Sequence, residues 1–442
     1  MDKTPKQKRF TKTEWSWILY DWANSIYATN ISAAIWPIYF ALVVSGLANA
    51  GVINTIYGYA VSFANLITAV LAPYLGSIGD FKGMKKKLWT VFTVMGVVFT
   101  CFMALFDNWV WMLIGFVLSR IGFSGSCLFY DSFLTDVTEP ERMDKVSAWG
   151  YAMGYIGGST IPFLISIGVM LAMGQSILSY KIAILIVPVW WLIFSIPFWN
   201  NVHQKHYVST PPKHLGKKAW QNTIATFKNI LKNKAVLFFI LAYFCYIDGV
   251  STIITMATNY GSTLGLGSIG MILALLVTQL VAMPFTIWFG SWGKKYGALR
   301  LITIAVGVYS LITIIGFGMG FIVDFSAMLG LQEAQALSIS TVLFWVLATL
   351  VGTVQGGIQA LSRSYFGQII PAEQSNEYYG FLDIFGKFAC VIGPALYSLV
   401  YSLTDKACFG LLSLILLFVA GFVLLQVGKP YFKTVQREEE SE

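Results

Sequence analysis

Gly76-Ser77-Ile78-Gly79-Asp80-Phe81-Lys82-Gly83-Met84-Lys85-Lys86 is answered in the second half of the chain, without a gap, by Gly290-Ser291-Trp292-Gly293-Lys294-Lys295-Tyr296-Gly297-Ala298-Leu299-Arg300. Both copies keep the frame Gly-x-x-Gly-x-x-x-Gly, and both follow a long apolar stretch. A frame kept once per half marks a chain built from two related units. A weaker second match supports this. Asp131-Ser132-Phe133 aligns with Arg363-Ser364-Tyr365 and Glu141 with Glu373, and Gly150 and Gly154 then meet Leu382 and Gly386.

The solvent of these units follows from composition. The 442 residues are 57% apolar and 11% charged, with mean hydropathy +0.68, whereas soluble domains carry about 25% charged residues. Apolar stretches run approximately over 15–44, 54–78, 88–106, 109–134, 146–173, 180–199, 235–260, 268–291, 300–322, 338–361, 379–403 and 407–427. Each is long enough as a helix to cross a hydrocarbon core of about 30 Å. The first follows a basic leader but is too long and too polar for a signal-peptide core, so it stays as helix 1.

Lys and Arg set the orientation, because they concentrate in short cytoplasmic loops. With the N-terminus inside, 25 of the 29 fall on the cytoplasmic side, Arg363 counted in loop 10/11. Only Lys181 and Lys406 fall outside, and Arg120 and Lys387 lie within helices. The expected division is a cytoplasmic leader 1–14, a six-helix half 15–199, a basic linker 200–234, a second six-helix half 235–427 and a cytoplasmic tail 428–442. The linker holds seven lysines, no acid and the pair Pro211-Pro212. Its second part puts Trp220, Ile224, Phe227 and Leu231 on one helical face, the pattern of an interfacial helix. No basic stripe with interleaved aromatics points to nucleic acid. The five cysteines form no pair motif, and His203, His206 and His214 read as solvated loop residues without further metal ligands.

The repeated loop has a mechanical reading: glycines allow a tight turn at the membrane face, Asp80 fixes a charge, and the lysines face headgroups. It resembles the signature loop of the major facilitator superfamily. The resemblance implies that Asp80 braces one half against the other in the outward-open state. Tyr20-Asp21-Trp22-Ala23-Asn24-Ser25, Tyr130-Asp131-Ser132-Phe133-Leu134, Gly154-Tyr155-Ile156-Gly157-Gly158, Ile247-Asp248-Gly249-Val250 and Gln355-Gly356-Gly357-Ile358-Gln359-Ala360-Leu361-Ser362-Arg363-Ser364 narrow it. They are similar to the vacuolar amino-acid effluxers of autophagy and their bacterial relatives. That implies a twelve-helix, all-α bundle in two pseudo-symmetric halves, moving amino acids or similar small solutes, with helices 1, 4, 7 and 10 lining a central cavity.

Ionisable groups inside a bilayer cost several kcal/mol unless paired or hydrated, so they mark where the chemistry sits. Asp21, Asn24 and Ser25 share a face of helix 1, and Asp248, Ser251 and Thr252 repeat it on helix 7. Arg120, Ser124, Cys127 and Asp131 follow the same spacing on helix 4, while helix 10 offers Gln355 and Gln359. Arg120 is read as a clamp for a substrate carboxylate or phosphate, because guanidinium binds such groups in a planar fork. Asn24, Ser25, Ser124, Ser251, Thr252, Gln355 and Gln359 complete the expected binding set, and Asp21, Asp248 and Asp131 are expected to couple transport to a proton or cation. Gating is assigned to Gly76, Gly79, Asp80, Gly83 and Arg363. Asp383 and Lys387, one turn apart on helix 11, read as a local ion pair. The competing view of Arg120 is a permanent pair with Asp21.

Enzyme readings fail on context. Gly265-Leu266-Gly267-Ser268-Ile269-Gly270 has dinucleotide-binding spacing but lies in an external loop with no strand before it, and no phosphate loop for ATP is present. No cofactor or metal is expected. The reading is a secondary transporter of the cell membrane, a monomer whose partners are a small solute and the bilayer. A non-transporting sensor or lipid-binding scaffold on the same fold is the alternative.

Overall fold

The computed structural model describes residues 9–45, 47 and 50–441; Lys3, Lys6, Lys8 and the side chains of Cys390, Lys433 and Arg437 lie outside the described residues. Twelve helices are long and apolar enough to cross a membrane: Lys12–Val44, Gly51–Gly79, Met84–Leu105, Trp109–Val137, Pro140–Ala172, Ile177–Asn201, Lys234–Thr263, Leu273–Tyr296, Ala298–Asp324, Glu333–Ile369, Ala372–Thr404 and Ala407–Phe432. They are numbered helix 1 to helix 12 in that order. The described residues contain no strand. The chain is therefore an all-α, multi-pass membrane protein; within each helix the backbone polar groups find partners inside the hydrocarbon.

Helices 1 and 5 are not straight. Helix 1 widens into a π-helical stretch over Tyr27–Ala33 and breaks at Ala34, just before Pro37; helix 5 widens likewise over Gly154–Thr160, just before Pro162, but runs on unbroken into Ile161–Ala172. Proline removes a donor and crowds the carbonyl four residues back, so the preceding turn loosens. Sequence spacing could not show this. Helix 10 also extends past the expected 361 to Ile369, which draws Arg363 out of the presumed loop into a helix, where it is 5% exposed. Arg363 therefore belongs to the buried interior and not to the loop charge that sets orientation.

The repeated glycine frame has one job per position. Gly76 lies so close to helix 11 that a methyl group there would come within 2.9 Å of Glu377 Cα, and at Gly290 a methyl would sit 2.9 Å from the Asp144 carbonyl of helix 5. Small residues thus let helix 2 seat on helix 11, and helix 8 on helix 5. The third glycine of each copy turns the chain: Gly83 has φ 74° and Gly297 φ 85°, which other residues rarely adopt. These two seams join the halves at the face that carries the start of helix 1 and the lysine-rich loops, here called the basic face.

Substituting Gly76 by Val is expected to wedge helices 2 and 11 apart. The rate at which an impermeant thiol reagent labels a cysteine placed at Ser77 should rise several-fold over that in the Gly76 background. Equal rates would mean that the seam tolerates the added bulk.

Candidate functional site

Three polar layers lie along the bundle, starting at the basic face. Asp80 accepts hydrogen bonds from the Asn376 backbone N–H (2.9 Å), the Asn376 side-chain amide (2.7 Å) and the Glu377 N–H (3.1 Å). These donors belong to the first turn of the helical stretch Ser375–Thr404. Asp80 therefore caps helix 11 from the opposite half, satisfying orphan N–H groups and meeting the positive end of the helix dipole. Beside it, buried Lys85 donates to Asp136 (2.6 Å) and Ser375 (2.9 Å). Asp136 also accepts the backbone N–H groups of Lys205 (2.7 Å) and His206 (2.8 Å). His206 Nδ1 lies 3.3 Å from the same carboxylate. His206 is thus not the free, solvated residue expected from sequence; it ties the linker to the end of helix 4.

The second seam is built differently. Where the repeat would place an acid, Lys294 stands exposed, and Asp144 lies against Gly293 while accepting from Ser364 (2.6 Å) and Gln368 (3.1 Å) of helix 10. Continuing the Glu141–Glu373 match by three residues pairs Asp144 with Asn376. The two halves hold equivalent positions with different charges.

Deeper lies Arg363. Its Nη1 donates to Asp131 of helix 4 (2.9 Å), its Nη2 contacts Asp21 of helix 1 (3.3 Å), and Nε and Nη2 reach the Ser147 hydroxyl (2.9 Å) and carbonyl (3.0 Å) of helix 5. The guanidinium is faced by the rings of Tyr151 (4.3 Å), Trp17 (4.7 Å) and Tyr130 (5.3 Å). Tyr130 donates to Asp21 at 2.8 Å. One residue of the second half thus grips three helices of the first. Sequence reasoning named Asp21, Asp131 and Arg363 but gave them separate roles; it missed Ser147, Trp17 and Tyr151 altogether. The weak Asp131–Arg363 repeat match was the available hint.

Arg120 lies eleven residues from Asp131 on helix 4, about 16 Å along its axis at 1.5 Å per residue. Its Nε donates to Asn65 (3.0 Å) and its Nη1 to Ser32 (3.3 Å). No carboxylate is paired with it among the described residues. The alternative pairing with Asp21 is not the one formed, since Asp21 is held by Arg363 and Tyr130.

The remaining expected residues scatter. Ser124 lines a groove that also contains Thr68, Asp383 and Lys387, and the last two form the one-turn ion pair. Asn24 is buried with its amide nitrogen unpartnered, and Ser25 packs on Gly154 and Gly158. Asp248 is buried, both oxygens accept the Gly393 N–H of helix 11 at 2.9 Å, and Thr252 donates to it at 3.5 Å. Gln355 lines an apolar cavity within the second half, with Ile253, Tyr260, Gln279 and Phe344, while Ser251 and Gln359 are half-buried.

The His206 contact has a pH dependence. The Asp136 carboxylate beside it holds the imidazole above its ordinary 6.5, against partial desolvation. A raised folded-state pKa means that this stabilisation is complete below the unfolded value and is lost as pH rises through the folded one. Closure of the basic face should therefore loosen as the pH rises above the ordinary 6.5, and His206→Gln should flatten that profile. Spin-label distances across the seam between helices 2 and 11, measured over this rise, check both points.

Comparison with known proteins agrees with this architecture. The family described as vacuole effluxer Atg22 like matches residues 51–141 and 135–429. The MFS-type transporter YxiO of Bacillus subtilis (strain 168) is 42% identical, with 95% of each chain aligned. Autophagy-related protein 22 of Coccidioides immitis (strain RS) is 24% identical over 83% of this chain and 71% of its own. Among solved structures, the human organic anion transporter MFSD10 aligns with TM-score 0.66 at 13% identity, covering 96% of this chain and 100% of that one. The proton:xylose symporter XylE aligns with TM-score 0.66 at 12% identity over 93% of both. The fold is that of the major facilitator superfamily, and the chain belongs to its Atg22-like effluxer family of transporters.

Proposed function

We propose that this transporter moves a small carboxylate-bearing solute, amino acids foremost, by alternating access coupled to a proton or cation gradient. Arg120 carries the reading. A cation within the hydrocarbon is costly unless it is paired or lines water, and this one is met by the neutral side chains of Asn65 and Ser32. A substrate carboxylate would complete it as a planar, charge-assisted contact. The names of the relatives, an effluxer family and an organic anion transporter, agree with such a cargo.

Coupling follows from charge arithmetic at Arg363, where one guanidinium meets two carboxylates. A proton on Asp21 or Asp131 removes the excess negative charge and weakens the tie between the halves, which frees the basic face to open. The lysine asymmetry makes the basic face cytoplasmic, with both termini and residues 200–234 on that side of the cell membrane. The chain works as a monomer, since substrate layer and gate are complete within it.

Arg120→Lys keeps the charge and loses the fork, so substrate affinity should fall by about 1–3 kcal/mol. Asp21→Asn should spare binding while making transport insensitive to the pH gradient. Binding measured by substrate-dependent thermal stabilisation across amino acids and organic acids, with uptake alongside, decides the matter. Unchanged affinity in Arg120→Lys would remove the clamp. Labelling of a cysteine at Lys213 by an impermeant reagent from outside intact cells would reverse the orientation.

A further inference from the structure

The linker folds into a helix, Leu215–Lys232, that lies across the ends of the two gate helices. One stripe faces the bundle: Ala219, Thr226 and Ile230 are buried, Trp220 meets the Tyr74 ring of helix 2 at 6.4 Å, and Phe227 meets the Phe381 ring of helix 11 at 5.9 Å. Thr226 donates to the buried Glu377 of helix 11 at 2.8 Å. Glu377 is the residue whose backbone N–H is capped by Asp80, so this hydrogen bond runs directly into the gate.

The helix also carries an apolar ridge that the bundle covers only in part. Trp220 is 59% exposed, Ile224 43%, Phe227 46% and Leu231 50%. Their spacing of four, three and four residues makes one continuous ridge, joined at Tyr74 to helix 2, whose apolar Leu66, Val70 and Leu71 are exposed. Around it stand exposed Lys217, Lys218, Lys228 and Lys232. Lys213, His214, Lys217 and Lys218 form a pocket closed by Phe81 and Ser209. Phe81 follows Asp80, and the Val208 N–H donates to the Asp80 carbonyl at 3.0 Å. The pocket is therefore tied to the gate at a second point.

We propose that this helix is an anionic-phospholipid sensor: its apolar ridge seats in the bilayer surface, the lysine pocket takes a lipid phosphate, and the docked helix holds helices 2 and 11 together. Three features select a lipid occupant. The ridge is continuous with the membrane-facing surface, the charge surrounding it is all positive, and residues 200–234 contain no acid. An amphipathic helix with this layout gains from apolar burial and from headgroup attraction together. Docking shifts the gate because it adds free energy only to the state in which the helix bridges both gate helices. The inference uses the fold and the gate, and is independent of which solute is carried.

The test uses the full-length protein in nanodiscs of phosphatidylcholine with increasing phosphatidylglycerol. A bimane label on Ile224→Cys, with brominated lipid as quencher, reports docking; spin labels on Lys82→Cys and Glu373→Cys report closure of the seam between helices 2 and 11. Phosphatidylglycerol should increase quenching and shift the distances towards the closed population, and high salt should weaken both effects. The triple variant Lys213→Gln, Lys217→Gln and Lys218→Gln should lose the response while matching the parent in phosphatidylcholine alone. Thr226→Val should keep the quenching response and lose the distance response, separating docking from its transmission. A parent distance distribution that ignores phosphatidylglycerol would overturn the proposal, as would a closing effect reproduced by inorganic phosphate in phosphatidylcholine discs.

Discussion

A single guanidinium, that of Arg363, holds the two halves together at a depth where charge is expensive. Removing one partner of such a buried network typically costs about 3–5 kcal/mol, because the charge left behind has no solvent. Here the partners are split between helices 1, 4 and 5 on one side and helix 10 on the other. The free energy of the contact therefore belongs to one relative position of the halves. Every layer nearer the basic face depends on that position: the Asp80 cap, the Lys85 and Asp136 cluster, and the close approach at Gly76 and Gly290 form only when the halves are in register.

The two seams are equivalent in backbone and different in electrostatics. Asp80 completes the N-terminus of helix 11 with three hydrogen bonds, while the matching position of the second copy, Lys294, is turned out to solvent. A lysine has no acceptor and cannot cap helix 5. That seam relies instead on Asp144 with Ser364 and Gln368. The seam between helices 2 and 11 is thus the more sensitive to charge. It is also the one that the linker reaches, through His206 on Asp136 and Thr226 on Glu377. A connector that could have been passive is bound to the part of the gate most open to modulation.

Much of this was legible in the residues. Twelve apolar stretches, the glycine frame and its repeat follow from length, period and spacing, since each obeys a local rule. The polar residues facing the interior were found for the same reason: charges in apolar stretches stand out. Their partners were not legible. Arg363 was counted as a loop residue because nothing in the sequence marks helix 10 as running on to Ile369, and the meeting of Arg363 with Asp21 is set by how helices cross. His206 looked like any loop histidine, because its contact with Asp136 exists only once the linker has folded back. The break in helix 1 and the widening of helix 5 were signalled by Pro37 and Pro162, but proline alone does not fix where a helix loosens.

Arg120 and Asp131 share helix 4, about three turns apart, and they divide the work of the two proposed arginine layers. Arg363 is balanced by acids on the opposite half and needs no ligand; Arg120 is met by an amide and a hydroxyl and lacks only an anion. Both layers act on the same rigid element. In the proposed cycle, a solute that draws Arg120 towards the cavity and shifts helix 4 carries Asp131 with it. The contact that Asp131 makes with Arg363 is a direct, charge-assisted ion pair at 2.9 Å. On the proposed coupling, protonation of Asp131 acts on the same bond, so solute and proton would both reach Arg363 through helix 4.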